Sequence, residues 1–384
     1  MEDFFKFLEK KPLYYKKIDT NRIKIAYNIL KNKISSPKTV HLIGTNGKGS
    51  TGRALAHLAF KANLNVGHYS SPHILNFNER IWINGKNIDN ELLQKNHLKL
   101  LKILGKKISN ELSYFEYTTL LAVLIFEKLD LIVLEAGLGG EMDATTQIEN
   151  RILSIVTPIG FDHQEFLGDS IKKIATTKLK SIQKEALLAP QRYPEVLEVA
   201  KELSKKRNFK LHLLEKFEEK KEQIKKVVAK KAYPEFLISN FAVATKALDI
   251  LGIKYSLNDL KTLEIFGRFY KIAPNVRIDV GHNLLSAKAI FEAMEENTIL
   301  IYNSLKDKNY HKILKLLKPK IKEVKIIKID TPRAVKIEDL RKSLEALDIL
   351  YEDFDGNLNP KENYLVFGSF YTVEAFLKML NYSS

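Results

Sequence analysis

An α/β chain in two domains follows from three observations. An apolar strand at 39–43 runs into the glycine-rich turn Gly44-Thr45-Asn46-Gly47-Lys48-Gly49-Ser50 and on into a helical pattern at 51–61. A second strand at 65–69 completes a strand–helix–strand unit, the building block of a parallel sheet. Beyond residue 270, short apolar strands alternate with amphipathic helices, which makes a second, smaller α/β domain. The length of 384 residues also exceeds what one ordinary core supports.

The elements justify themselves in order. Asp19 or Thr20 can cap a helix whose apolar residues Ile23, Ala26, Tyr27 and Leu30 recur at helical spacing. In the glycine-rich turn, close backbone approach and successive N–H groups beside a helix start suit phosphate. Lys48 would add a charge and Ser50 a hydroxyl for magnesium. The spacing departs from G-x-x-x-x-G-K-[ST], because Leu42 takes the first glycine's place and Gly49 separates Lys48 from Ser50. The turn is either a variant phosphate loop or a glycine turn with no ligand.

At the exit of the second strand, Ser70, Ser71 and Pro72 either help hold a metal or cap a turn. Trp82 beside Asn84-Gly85 marks a hairpin. A helix at 117–128 precedes the strand at 131–134 and then Glu135, followed by glycines. This places a carboxylate either against a phosphate-bound magnesium or beside a neighbouring lysine. The strand at 152–157 ends in a loop with Asp162 and His163. Three consecutive strand exits thus carry polar groups on one side of the sheet, where ligands bind in such folds. A helix at 170–183 contains Lys178, which its spacing does not mark. The stretch 205–231 is lysine-rich and strand-poor. In the second domain, strands at 276–280, 298–303, 324–329 and 364–367 alternate with helices at 286–295, 310–317 and 337–347. The boundaries read 1–257, a linker at 258–269, and 270–384.

With 45% hydrophobic and 28% charged residues the chain is an ordinary globular protein. It has no cysteine, which excludes disulfides and thiolate chemistry. The opening residues lack a signal-peptide pattern and no uncharged apolar run reaches membrane-spanning length, so a cytoplasmic, membrane-free protein is expected. The net charge of +16 raises the question of nucleic acid. The lysines are dispersed over amphipathic segments without an arginine–aromatic patch, so none is expected; an acidic small substrate suits the field better.

The segments GTNGKGS, SPHILNFNERI, FEYTTLLAVLIF, VLEAGLGGEMDAT and IGFDHQEFLGDSIKKIATTK, in this order, resemble the folylpolyglutamate synthase and dihydrofolate synthase family of the Mur ligase superfamily. Asn240, Phe266-Gly267-Arg268, Asp279 to Asn283, Pro332-Arg333-Ala334 and Gly368 to Tyr371 extend the likeness over nearly the whole chain. The resemblance implies a Mur ligase-like ATP domain and a Rossmann-like C-terminal domain, acting as a monomer. It implies a ligase that uses ATP to join L-glutamate to a pterin acid or reduced folate through an acyl phosphate. Gly44 to Ser50 would hold the ATP phosphates, with Asn240 and Asp279 near the nucleotide and Arg268 on the phosphates. Two magnesium ions would be held, one by Ser50 and Glu135, the other by Ser71, Glu135 and His163. Lys178 matches a lysine the family carries as a carbamate, His282 lies near the incoming glutamate, and Asp143 matches a residue of the dihydropteroate site.

The chain departs from the family at several places. Glu141 and Met142 precede Asp143 where arginine and leucine are usual, Thr146 replaces asparagine, Phe266 replaces proline, and Thr177 and Leu179-Lys180 flank Lys178. Two other functions fit the same phosphate loop: a Mur-type ligase for a cell-wall precursor, and a nucleotide-binding regulatory protein without turnover.

Overall fold

The computed structural model describes residues 2–13, 19–214 and 216–382. Its chain divides into two bodies. The first comprises residues 1–71, 77–229 and 239–263; the second comprises 72–76, 230–238 and 264–384. In place of a single boundary after 257, the chain passes between the two bodies five times, at 71/72, 76/77, 229/230, 238/239 and 263/264. The expected linker begins as a 3-10 helix, Leu257–Thr262; its Leu260 and the following Leu263 are buried in the first body.

The first body is built on an eight-stranded sheet: β1 Lys38–Ile43, β2 Val66–Tyr69, β3 Ile81–Ile83, β4 Lys86–Asn87, β5 Leu131–Glu135, β6 Arg151–Val156, β7 Glu185–Leu188 and β8 Lys210–Leu213. The order is β4-β3-β2-β5-β1-β6-β7-β8, and only the β2–β3 and β3–β4 pairings are antiparallel. Central β1 is apolar because both of its faces are covered. Helices Thr20–Lys31, Asn90–Glu111 and Tyr114–Ile125 pack on one side, and Ile171–Leu179 and Pro194–Arg207 on the other. The Asn84-Gly85 hairpin forms with positive φ at both residues, as a tight I′ turn requires.

Several elements differ from their expected extents. The helix expected at 117 starts at Tyr114, because Ser113 and Glu116 form a reciprocal capping box. The 22-residue helix Asn90–Glu111 was not foreseen; Gly105, at φ +76, interrupts its pattern. The helix around Lys178 stops at Leu179, well short of 183, where Arg151 Nη1 donates to Ser181 O at 2.7 Å. The stretch read as strand-poor contains the edge strand β8 and helix Phe217–Val227.

The second body carries a six-stranded sheet: β9 Tyr270–Ala273, β10 Val276–Asp279, β11 Thr298–Tyr302, β12 Ile321–Ile326, β13 Tyr351–Asp353 and β14 Tyr364–Phe367. Its order is β13-β12-β11-β14-β10-β9, parallel except for β9–β10. The short edge strands β9 and β13 went unseen in the sequence. Helix Leu284–Ala293 begins before the expected 286 because Asn283 caps it, with Ser286 returning the hydrogen bond. Among the described residues no helix is long and apolar enough to cross a membrane.

Candidate nucleotide and ligation site

The glycine turn forms at the exit of β1 because only glycine fits its corners. Gly44 has φ +142, and a Cβ there would lie 2.1 Å from Thr157 Oγ1 on the exit of β6. Gly47 has φ +86 and opens helix Lys48–Lys61, with a Cβ position only 2.8 Å from Asn240 Oδ1. The N–H groups of Thr45 and Asn46, expected on phosphate, donate instead to Pro158 O at 2.9 and 3.2 Å. Thr45 Oγ1 also exchanges hydrogen bonds with Gly160 at 3.1 Å. These two residues shape the loop, and the N–H groups of the first helical turn, at Lys48, Gly49 and Ser50, are the donors a helix start offers to an anion. Thr157, Pro158 and Gly160 are the functional scaffold that sequence inspection missed, and their signal was the Pro and Gly clustered at a strand exit.

Four side chains meet at this turn. Ser50, 2% exposed, donates to Gly47 O at 3.2 Å and accepts from Asn240 Nδ2 at 2.7 Å. Lys48 folds over the turn, donating to Thr45 O at 3.2 Å, and its Nζ is 3.8 Å from Glu135 Oε1. Glu135 is buried, and its Oε2 accepts from Ser71 N at 3.3 Å. Oxygen donors of the Ser50, Ser71 and Glu135 type suit magnesium, and the bare glycine cradle at Gly47 suits a phosphate. Among the described residues no group of three or more His, Asp or Glu side chains gathers as a metal site. His163 sits at φ +49 at the start of the short helix Gln164–Leu167, with its Nε2 4.0 Å from Asp162 Oδ1.

Lys178 is 2% exposed and donates to Gly44 O at 3.0 Å and to Leu138 O at 2.6 Å, so its amine joins the phosphate turn to the glycine loop after β5. Burial, with the nearby Lys48 charge, lowers its pKa to about 7 against the pull of Asp143 and Asp162. A large share of this amine is therefore neutral near pH 7.

Asp143 is engaged within its own loop. Its Oδ2 accepts from Leu138 N and Gly139 N, both at 3.0 Å, and its Oδ1 from Thr145 N at 3.0 Å and Thr145 Oγ1 at 2.6 Å. Thr145 Oγ1 in turn meets His41 Nε2 at 2.8 Å, and burial lowers that imidazole to about 3, keeping it neutral. The carboxylate thus shapes the glycine loop that presents Leu138 O to Lys178.

In the second body, Asp279 ends β10 fully buried and accepts from Phe269 N at 2.8 Å and Gly281 N at 2.7 Å. Burial raises its pKa, against the opposing charge of Arg268. The Arg268 guanidinium lies 5.3 Å from the centre of the Phe370 ring and donates to Gly267 O at 3.2 Å. His282 Nδ1 lies 3.1 Å from Val280 O, and Asn283 caps the next helix. These residues gather at the exits of β10 and β14.

No protein-family model matches the chain. The dihydrofolate synthase/folylpolyglutamate synthase of Buchnera aphidicola from Schizaphis graminum is 31% identical over 376 residues, covering 88% of this chain and 86% of its own. The crystal structure of Helicobacter pylori folylpolyglutamate synthetase is 37% identical with a TM-score of 0.80, over 99% of this chain and 98% of that one. A bifunctional folylpolyglutamate synthase/dihydrofolate synthase from Yersinia pestis, complexed with AMPPNP and a Mn ion, has a TM-score of 0.83 at 23% identity over 98% and 97% of the two chains.

Proposed function

This chain belongs to the dihydrofolate synthase/folylpolyglutamate synthase family of ATP-dependent ligases, and from that premise we propose that it joins L-glutamate to a pterin carboxylate, dihydropteroate, a reduced folate or both, in the cytoplasm. The observation that carries this is the meeting of Lys48, Ser50, Ser71 and Glu135 at the start of helix Lys48–Lys61. The nucleotide and manganese of the Yersinia pestis protein support the binding of a nucleotide and a divalent ion.

Amide formation from a carboxylate is uphill in water, so the acid is activated as an acyl phosphate at the expense of ATP. Ser50, Ser71 and Glu135, with His163 as a further ligand, would hold magnesium, which would supply charge neutralisation for the transferring phosphoryl group. Lys48 moves from the turn carbonyls to the outer phosphates, where its ammonium offsets developing charge. The first-turn N–H groups of Lys48, Gly49 and Ser50 orient the phosphates, and Asn240 holds the Ser50 hydroxyl in place. On the family resemblance, Arg268 and Asp279 would serve the nucleotide and His282 the glutamate. Asp143 acts on the acceptor acid by shaping the loop at 138–140. The amine of glutamate then attacks the acyl carbon, phosphate leaves, and no enzyme nucleophile is required.

Lys178 is the candidate for carbamylation. Carbon dioxide adds to a neutral amine, and the lowered pKa of Lys178 supplies one. Lys178→Ala is then rescued in part by a short carboxylic acid, and no rescue at any concentration counts against the carbamate. The function itself is tested by paired ligation assays with dihydropteroate and with tetrahydrofolate, each with glutamate and ATP. Product in neither assay refutes it.

A further inference from the structure

The middle of β1 carries an ionisable side chain where the sheet has no room for charge. His41 is fully buried on that strand, just ahead of the phosphate turn. Burial and the nearby Arg151 charge lower its pKa to about 3, so the imidazole is neutral and a single ring nitrogen holds its proton. The neighbour decides which one. Thr145 Oγ1 gives its only proton to Asp143 Oδ1 at 2.6 Å, so towards His41 Nε2, 2.8 Å away, it accepts. His41 therefore donates from Nε2, and its Nδ1 is buried without a partner. An apolar side chain at this position would avoid the cost of that orphaned acceptor, so the histidine calls for a task.

The hydrogen bonds lead from there to the ligation site. Asp143 has four acceptor directions, and Thr145 Oγ1, Thr145 N, Leu138 N and Gly139 N fill them. The carboxylate thereby grips the backbone of the loop after β5. Leu138 O accepts from Lys178 Nζ, and the same amine donates to Gly44 O. A path that leaves β1 at His41 thus returns to the end of β1 at Gly44. Gly139, at φ +78, leaves space for it, since a Cβ there would lie 3.0 Å from Lys178 Nζ. The side chains of His41, Asp143, Thr145 and Lys178 are all buried, so water does not readily stand in for a lost member.

We propose that His41 and Thr145 are positioning residues of the ligation site, which fix the loop at 138–140 through Asp143 and so hold Lys178 against the phosphate turn. They act through the loop and not on a reacting atom. Their effect on turnover rests on the ligase function proposed above, whereas the ring of hydrogen bonds can be tested without it.

The test uses the full chain in four single variants. His41→Leu and Thr145→Val each remove a donor with little change in bulk, while His41→Gln and Thr145→Ser keep one within reach. Amide hydrogen exchange and ligation kinetics are both read. In His41→Leu and Thr145→Val, exchange at Leu138 N and Gly139 N quickens about tenfold or more, while the β5 amides of Ile132 and Val133 keep their wild-type rates. In the same variants kcat falls by about 10- to 100-fold, with the KM for ATP within about twofold of wild type. His41→Gln and Thr145→Ser recover most of both losses. The double variant His41→Leu/Thr145→Val is no worse than the poorer single one, because both act through one chain of hydrogen bonds. Additive losses assign the two side chains to independent packing and overturn the proposal, as does Thr145→Ser being as impaired as Thr145→Val. Wild-type exchange at Leu138 and Gly139 in Thr145→Val overturns it too, and so does faster exchange with kcat unchanged. Should His41→Leu fail to fold, Thr145→Val against Thr145→Ser reads the same quantities. A wild type that ligates nothing refutes the ligase function, and the exchange rates still decide whether the ring holds the loop.

Discussion

Gly44 has no room for a methyl group, because Thr157 Oγ1 and Thr157 O would lie 2.1 and 2.8 Å from it, and its φ of +142 disfavours any side chain. Gly44→Ala should cost about 1–3 kcal/mol in backbone strain before the clash is relieved, as read by urea denaturation. An unchanged midpoint would show that the turn rearranges freely. Lys48→Ala removes the ammonium 3.8 Å from Glu135 and should lower kcat by about 10²–10³-fold or more, with the fold intact by circular dichroism. Retained turnover would place phosphate binding elsewhere. Lys178 gives a pH prediction whose sign is fixed. Its amine has a pKa of about 7 when folded and 10.5 in the unfolded chain. Below about pH 7 both states carry the proton and the cost of burying the ammonium is fully present. Between about 7 and 10.5 the unfolded state binds the extra proton, so stability rises with pH. The stability difference between wild type and Lys178→Met should therefore grow in favour of wild type from pH 7 to 9; a flat difference would sink this account. Of these residues the sequence marked Gly44 and Lys48 directly, whereas the burial of Lys178 comes from two loops distant in the chain.

Helix Tyr114–Ile125 shows what decides an element's edge. Apolar periodicity located its body, but Ser113 and Glu116 set its start through reciprocal hydrogen bonds, Glu116 N to Ser113 Oγ at 3.3 Å and Ser113 N to Glu116 Oε2 at 2.7 Å. Ser113→Ala should lose about 1 kcal/mol of stability by chemical denaturation, and Glu116→Ala a similar amount. No loss in either would mean that packing alone holds the helix end. Core strands β1, β5 and β6 were legible as apolar runs because they are buried on both faces. Edge strands β8, β9 and β13 were not, since short half-exposed segments carry little apolar signal and acquire strand geometry only from a partner.

On the scale of the whole chain, two sheets with separate cores give each body its own row of strand exits, and both rows bear polar residues. Phosphate release from ATP should require both glutamate and a pterin acid, since neither half-reaction completes the amide alone. Release with a cell-wall nucleotide precursor in their place would refute the folate assignment. The chain does not fall into consecutive domains, because residues 72–76 and 230–238 join the second body. Composition marks such excursions poorly: Ser70-Ser71-Pro72 stands at the first crossing, but no Gly, Ser or Pro run stands where the chain enters the second body at 229/230.

The sequence by itself determined the two-domain α/β class, the glycine turn, the polar strand exits and the family. Glycine spacing, apolar runs and strand–helix alternation are local properties of the chain. Only the tertiary structure decided that Thr45 and Asn46 give their N–H groups to Pro158, that Asn240 holds Ser50, that Lys178 spans two loops, and that Asp307 pairs with Arg333. Each of these depends on residues brought together from far along the chain, where burial and hydrogen-bond supply set a side chain's charge and task.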